Sequence, residues 1–134
     1  MLLLLSAFAA ASAPPARGAW VEFDRRPAGW DNSPYEYDSA SIRRDGSRVR
    51  ATYRYKFFYS GLPDPEYRVG IEVDCRRHRS FVYEHLVYSP LNRPPTRPLR
   101  LRTPTISTRI VSGSVEASLE QRLCEGPNSA GRND

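Results

Sequence analysis

The side chains able to do chemistry in this 134-residue chain are few: two histidines, His78 and His85, two cysteines, Cys75 and Cys124, and a surplus of arginine. Hydrolysis of a phosphodiester needs a carboxylate base, a histidine acid and an arginine clamp converging on one phosphate. Glu84 and His85 are sequence neighbours and so face apart, while Glu72 reaches His78 only across a turn. Seven residues apart on a continuous strand, His78 and His85 point to opposite faces unless a bulge intervenes. Once the cysteines are paired, neither histidine has a metal-binding companion. No phosphate-cradling glycine loop or nucleophile elbow is present. The expectation is a non-enzymatic protein with no catalytic residue, metal or cofactor; a small secreted nuclease is the enzymatic alternative.

Arginine supplies almost all of the net charge of +5, with Lys56 the only lysine. Guanidinium groups grip carboxylates, sulfates and phosphates in a bidentate fork. Arg76, Arg77 and Arg79 follow one strand. Arg93, Arg97, Arg100 and Arg102 decorate a segment at residues 90–104 that five prolines stiffen. That arm is expected to stay out of the sheet. If it lies over the strand end, the seven arginines form one positive field for an acidic glycoprotein, sulfated glycan or anionic envelope polymer. The alternative is that they are separately solvated or paired with Glu84 and Glu125. No specific nucleic-acid partner is expected.

The elements that must position these groups follow from periodicity. Trp20 to Asp24 and Tyr35 to Asp38 read as strands. Val49, Ala51, Tyr53, Tyr55, Phe57 and Tyr59 alternate with Arg48, Arg50, Thr52, Arg54 and Lys56, after a turn signal at Asp45-Gly46. The tyrosine-rich face reads as core beneath a helix rather than as a carbohydrate or peptide platform. Tyr67, Val69, Ile71, Val73 and Cys75 alternate in the same way, with Arg68, Glu72 and Asp74 outside. The two charged faces would pair if the strands are antiparallel neighbours. Residues 79–88 form another strand, with Phe81, Tyr83 and Val87 on one face and Val82, Leu86 and Tyr88 on the other; a homodimer contact is one way to cover the second. A last strand is expected near residues 105–111. Val115, Leu119 and Leu123 then recur at helical spacing, with Ser112 or Ser114 as cap and Glu116 favouring the N-terminus.

Residues 2–13 are apolar and end in small side chains, as a secretory signal does, with cleavage expected after Ala11 or, failing that, Gly18. The run is too short to span a bilayer, and no cysteine follows it to carry a lipid anchor. A secreted or periplasmic chain is expected, comprising a signal and leader over 1–18, one domain over 19–125 and a disordered tail over 126–134. Export permits a disulfide, and two cysteines can pair within one chain in only one way. Cys75 and Cys124 should therefore staple a strand to the C-terminal helix. Asp38 is expected to hold the turn that follows it through hydrogen bonds to backbone amides.

In order, Trp20, the run Tyr37-Asp38-Ser39-Ala40-Ser41-Ile42 with Asp45-Gly46, the strand end Val73-Asp74-Cys75-Arg76, and the closing Gly113-Ser114-Val115-Glu116-Ala117-Ser118-Leu119 with Leu123-Cys124 resemble the surface-adhesin protein E family of exported bacterial proteins. The resemblance implies an α+β fold: a curved antiparallel β-sheet with a C-terminal helix packed on one face and tied to a strand by a disulfide. It also implies an adhesion or binding module that dimerises and holds extracellular-matrix glycoproteins. A structural envelope-associated protein without a diffusible ligand is the alternative.

Overall fold

A computed structural model describes residues 18–26, 33–56 and 65–125. The expected signal segment, the tail from Gly126, and Phe57 and Tyr59 lie outside these. Eight strands form one antiparallel sheet: β1 (Trp20–Arg25), β2 (Pro34–Asp38), β3 (Arg43–Asp45), β4 (Arg48–Lys56), β5 (Glu66–Asp74), β6 (Arg79–Tyr88), β7 (Leu99–Arg100) and β8 (Thr108–Arg109). The order across it is β1-β2-β4-β5-β6-β7, with β3 also on β4 and β8 also on β6. Among the described residues one α-helix, α1 (Val115–Glu125), follows. Among the described residues no helix is long and apolar enough to cross a membrane.

The alternation read from sequence sets the register. Val49 opposes Val73, Ala51 opposes Ile71, Tyr53 opposes Val69 and Tyr55 opposes Tyr67, so one face of β4 and β5 is apolar throughout. Leu119 and Leu123 of α1 complete a core with Val49, Ala51, Tyr53, Val69, Ile71, Val73 and the ring of Phe23. Both leucines are fully buried. Ser114, rather than Ser112, caps the helix, accepting a hydrogen bond from the Ala117 N–H at 3.1 Å. At the other end the Arg44 guanidinium donates to the Leu123 carbonyl at 2.6 Å, satisfying one of the last open acceptors of the helix.

The expected disulfide is present. Cys75 and Cys124 are bonded with their Cα atoms 5.6 Å apart and a sequence separation of 49. Cys75 stands just past the end of β5 and still packs against the core. The bond therefore joins the end of a central strand to the last turn of the helix.

β2 and β3 are one interrupted strand along the edge of β4, broken by a 3-10 turn at Ser39–Ser41. Asp38 causes the break: its carboxylate accepts the Ala40 N–H at 2.9 Å. Ser41 fastens the turn to β4, donating to the Asp38 carbonyl at 2.6 Å and accepting the Thr52 N–H at 2.8 Å. The following β3–β4 hairpin turns through Gly46, whose φ of +58° suits glycine.

Two expectations about β6 need correction. A bulge inserts Tyr83 between Val82, opposite Ile71, and Glu84, opposite Gly70. Beyond it the faces switch, so Val82, His85 and Val87 share the helix side while Phe81, Leu86 and Tyr88 share the outer side. The proline arm, moreover, does enter the sheet: Leu99 opposes Val87 and Arg100 opposes Leu86, and the Leu101 N–H reaches the His85 carbonyl at 2.8 Å. Leu99 to Thr103 contains no proline, so its amides remain available to β6. Asn92, buried, fixes the preceding loop by donating to the Val87 and Arg97 carbonyls at 3.1 and 2.9 Å.

Candidate functional site

On the outer face the register lays opposite charges side by side. Arg50 donates to Glu72 at 2.8 Å, and the Arg48 guanidinium lies 3.9 Å from Glu72 and 4.0 Å from Asp74. Arg54 and Arg68, by contrast, face each other directly across β4 and β5. Their repulsion is offset by carboxylates and rings. Arg54 contacts Glu36 at 3.1 Å and Glu66 at 3.7 Å, and Arg68 contacts Glu66 at 2.8 Å. The Trp20 ring carries Arg54 at 4.1 Å, and the Tyr88 ring carries Arg68 at 4.5 Å. These guanidinium stems also cover apolar surface on the outer side of the sheet.

At the end of β5 the chain turns through residues 75–78. Asp74 organises that turn, its carboxylate accepting the Arg76 and Arg77 N–H groups at 3.1 Å each. Those bonds, first that from Arg77, and the Ser47 hydroxyl hold the Asp74 carboxyl below the usual range. His78 takes φ +53° and places its Nδ1 3.2 Å from the Glu120 carboxylate on α1. Arg79 then starts β6 and donates to the Ser107 hydroxyl and carbonyl at 3.0 and 2.7 Å.

This folding pattern converges three guanidinium groups on one cleft of about 200 Å³. Arg48, Arg77 and Arg79 line it with Glu72, Asp74 and Ser107. Arg76 is exposed on the adjoining turn. Asp74 pairs weakly with Arg48 and is saturated by backbone donors, so it serves as the frame of the turn. Three arginines against two carboxylates leave the cleft net positive. Its chemistry suits an oxyanion such as sulfate or carboxylate, held by charge-assisted hydrogen bonds.

The arginines of the arm lie elsewhere. Arg93, Arg97 and Arg100 surround a second cleft of about 570 Å³ with Leu86, Pro98 and Leu99. Arg100 pairs with Glu84 at 3.2 Å, and Arg102 is exposed on the stretch beyond β7. The first cleft meets β6 near Ser80 and the second near Leu86, roughly 20 Å apart at the usual rise of a strand. That separation exceeds the screening length of about 8 Å in physiological salt. The arginines therefore make two fields towards opposite ends of β6, with Arg102 between them. Among the described residues, no carboxylate lies within ion-pairing distance of Arg76, Arg77, Arg93, Arg97 or Arg102.

The histidines do not meet. His85, on the helix side after the bulge, sits with its Nε2 3.5 Å from the Tyr55 hydroxyl and its ring 5.8 Å from that of Tyr67. Burial lowers the His85 pKa and pushes that of Tyr55 up to about 12. Tyr55 stacks between Tyr35 and Tyr67, with centroids 5.0 and 5.1 Å away. Glu84 is on the outer face with Arg100, and Glu72 is held by Arg50. Neither carboxylate is brought to a histidine.

Sequence reading missed Arg48 and Ser107 as members of the first cleft. The alternation placed Arg48 on the outer face, and opposition to Asp74 follows once β4 and β5 pair. Ser107 is brought in by β8, within the strand expected near residues 105–111, whose pairing with β6 the sequence does not specify. No family model, curated protein or solved structure matches the chain.

Proposed function

We propose that the chain is an exported, non-enzymatic binding or adhesion module that holds an anionic partner, an acidic glycoprotein or an anionic envelope polymer, on the outer face of its sheet. The observation that carries this reading is the convergence of Arg48, Arg77 and Arg79 on one cleft beside the exposed Arg76. The disulfide supports export, because such a bond persists in oxidising compartments. The resemblance to the surface-adhesin protein E family supports the same reading, and the separation of His78 from His85 weighs against a nuclease.

Retention of the oxidised protein on immobilised heparin tests the proposal. Binding should weaken steeply with salt, since the Debye length falls from about 10 Å at 0.1 M to about 3 Å at 1 M. The Arg76→Ser/Arg77→Ser variant keeps the backbone N–H groups that Asp74 accepts and should elute at lower salt. Unchanged elution of that variant, or no retention of the parent protein at low salt, would overturn the reading.

A further inference from the structure

The two arginine clefts lie on one strand, and what separates them is also a surface a ligand can use. Tyr83, the bulged residue, packs its ring end against Gly70: a Cβ placed there would come within 2.6 Å of the Tyr83 Cε2. Tyr83 as a residue is 37% exposed, and the Arg50 guanidinium lies over its ring, 5.0 Å from the centroid. Arg102 follows Leu101, whose N–H is bonded to the His85 carbonyl, so it leaves β7 alongside the middle of β6. From one end of β6 to the other run Arg79, the Tyr83 face with Arg50, Arg102, Arg100 and the Arg93 and Arg97 pair. The compensating carboxylates along this path are Glu72 on Arg50, Asp74 beside Arg48 and Glu84 on Arg100.

We propose that this path is a track for a linear sulfated or carboxylated polysaccharide that engages both clefts at once, with a sugar face against the Tyr83 ring between them. The proposal rests on the anion-binding reading above and adds to it a second site, a direction and a minimum ligand length. A flat aromatic ring between two guanidinium clusters matches a chain that alternates anionic groups with the apolar C–H faces of sugars. Binding at both ends makes the second contact intramolecular once the ligand covers the roughly 20 Å between the clefts. Shorter fragments reach only one cleft.

Isothermal titration of the oxidised protein with heparin fragments of defined length, from a disaccharide to one longer than this span, reads the threshold directly. Affinity should rise by on the order of 100-fold once the span is covered. The Arg93→Ser/Arg97→Ser variant should lose that rise while its first cleft still holds the short fragments. Its loop should stay folded, because the Asn92 clamp uses the backbone carbonyl of Arg97 and not its side chain; an unchanged melting temperature checks this. A smooth increase with length, or a rise that survives in the variant, overturns the track and leaves the single-cleft reading standing. Failure of every fragment to bind overturns both. Tighter binding of a single-stranded oligodeoxynucleotide of equal charge, at the same salt, would overturn the polysaccharide assignment.

Discussion

Burial lowers the pKa of His85, whose ring lies among the tyrosines on the helix side of the sheet. The unfolded chain, with an ordinary histidine near 6.5, therefore takes up a proton more readily than the folded one as the pH falls. Stability from neutral His85 is complete above pH 6.5 and is lost on descending from there towards its lower folded value. Melting temperatures between pH 7.5 and 5.0 should fall in the parent protein and fall less steeply in His85→Asn. Equal slopes would remove His85 as the cause. His78, 69% exposed at its side chain, is the natural control. Residue type alone could not reveal this environment. The side of the sheet on which His85 lies depends on the Tyr83 bulge, a one-residue insertion that reverses every face beyond it.

Elements were legible where a single periodicity governed them. The alternation in β4 and β5 and the spacing of Val115, Leu119 and Leu123 carry their burial pattern on their face, because one side of each must leave water. The staple between them was legible too, since Cys75 falls in phase with the buried side of β5 and Cys124 falls at the end of the helical run. β3 and β7 were not: each is two or three residues long and exists because a longer neighbour offers it backbone partners, while the strand expected near residues 105–111 is present only as the two residues of β8. The prolines correctly signalled a loop before β7 but said nothing of the residues after it, so whether the four arm arginines joined the other three was left open between one field and separate pairing, and the Arg100–Glu84 pair belongs to the second. For the staple itself, replacing both cysteines, Cys75→Ala/Cys124→Ala, should cost about 4 kcal/mol in the chain-entropy model for this separation. Denaturant unfolding with a lower midpoint and a somewhat larger m-value, from the less compact unfolded chain, is the expected signature. A loss under about 1 kcal/mol would mean that the helix holds to the sheet by Leu119 and Leu123 alone.

Across the whole molecule, stability should be graded along the axis that also separates the two clefts. Val49, Ala51, Val69, Ile71 and Val73 are buried beneath the helix at the centre of the sheet, while Leu91, Leu99, Leu101, Ile106 and Val111 are exposed on the segment that closes its far edge. That segment is tied down by a few bonds: two-residue pairings at β7 and β8, Leu101 to His85, and the Asn92 clamp. Local opening of such a strip exposes little apolar area and so costs little compared with opening β4 from β5. Amide hydrogen exchange should therefore be slowest at Ala51, Ile71 and Val73, limited there by global unfolding, and faster by local opening at Leu99 and Leu101, whose amides face β6. The strip carries Arg93, Arg97, Arg100 and Arg102, so a ligand reaching the second cleft has loosely held backbone to stabilise. Addition of a long heparin fragment should slow exchange at Leu99 and Leu101 more than at Ile71, and more than a disaccharide, which cannot bridge the clefts, slows it. Equal protection of β7 and β5 in the free protein would contradict the gradient, and would describe instead a sheet that opens only as one unit.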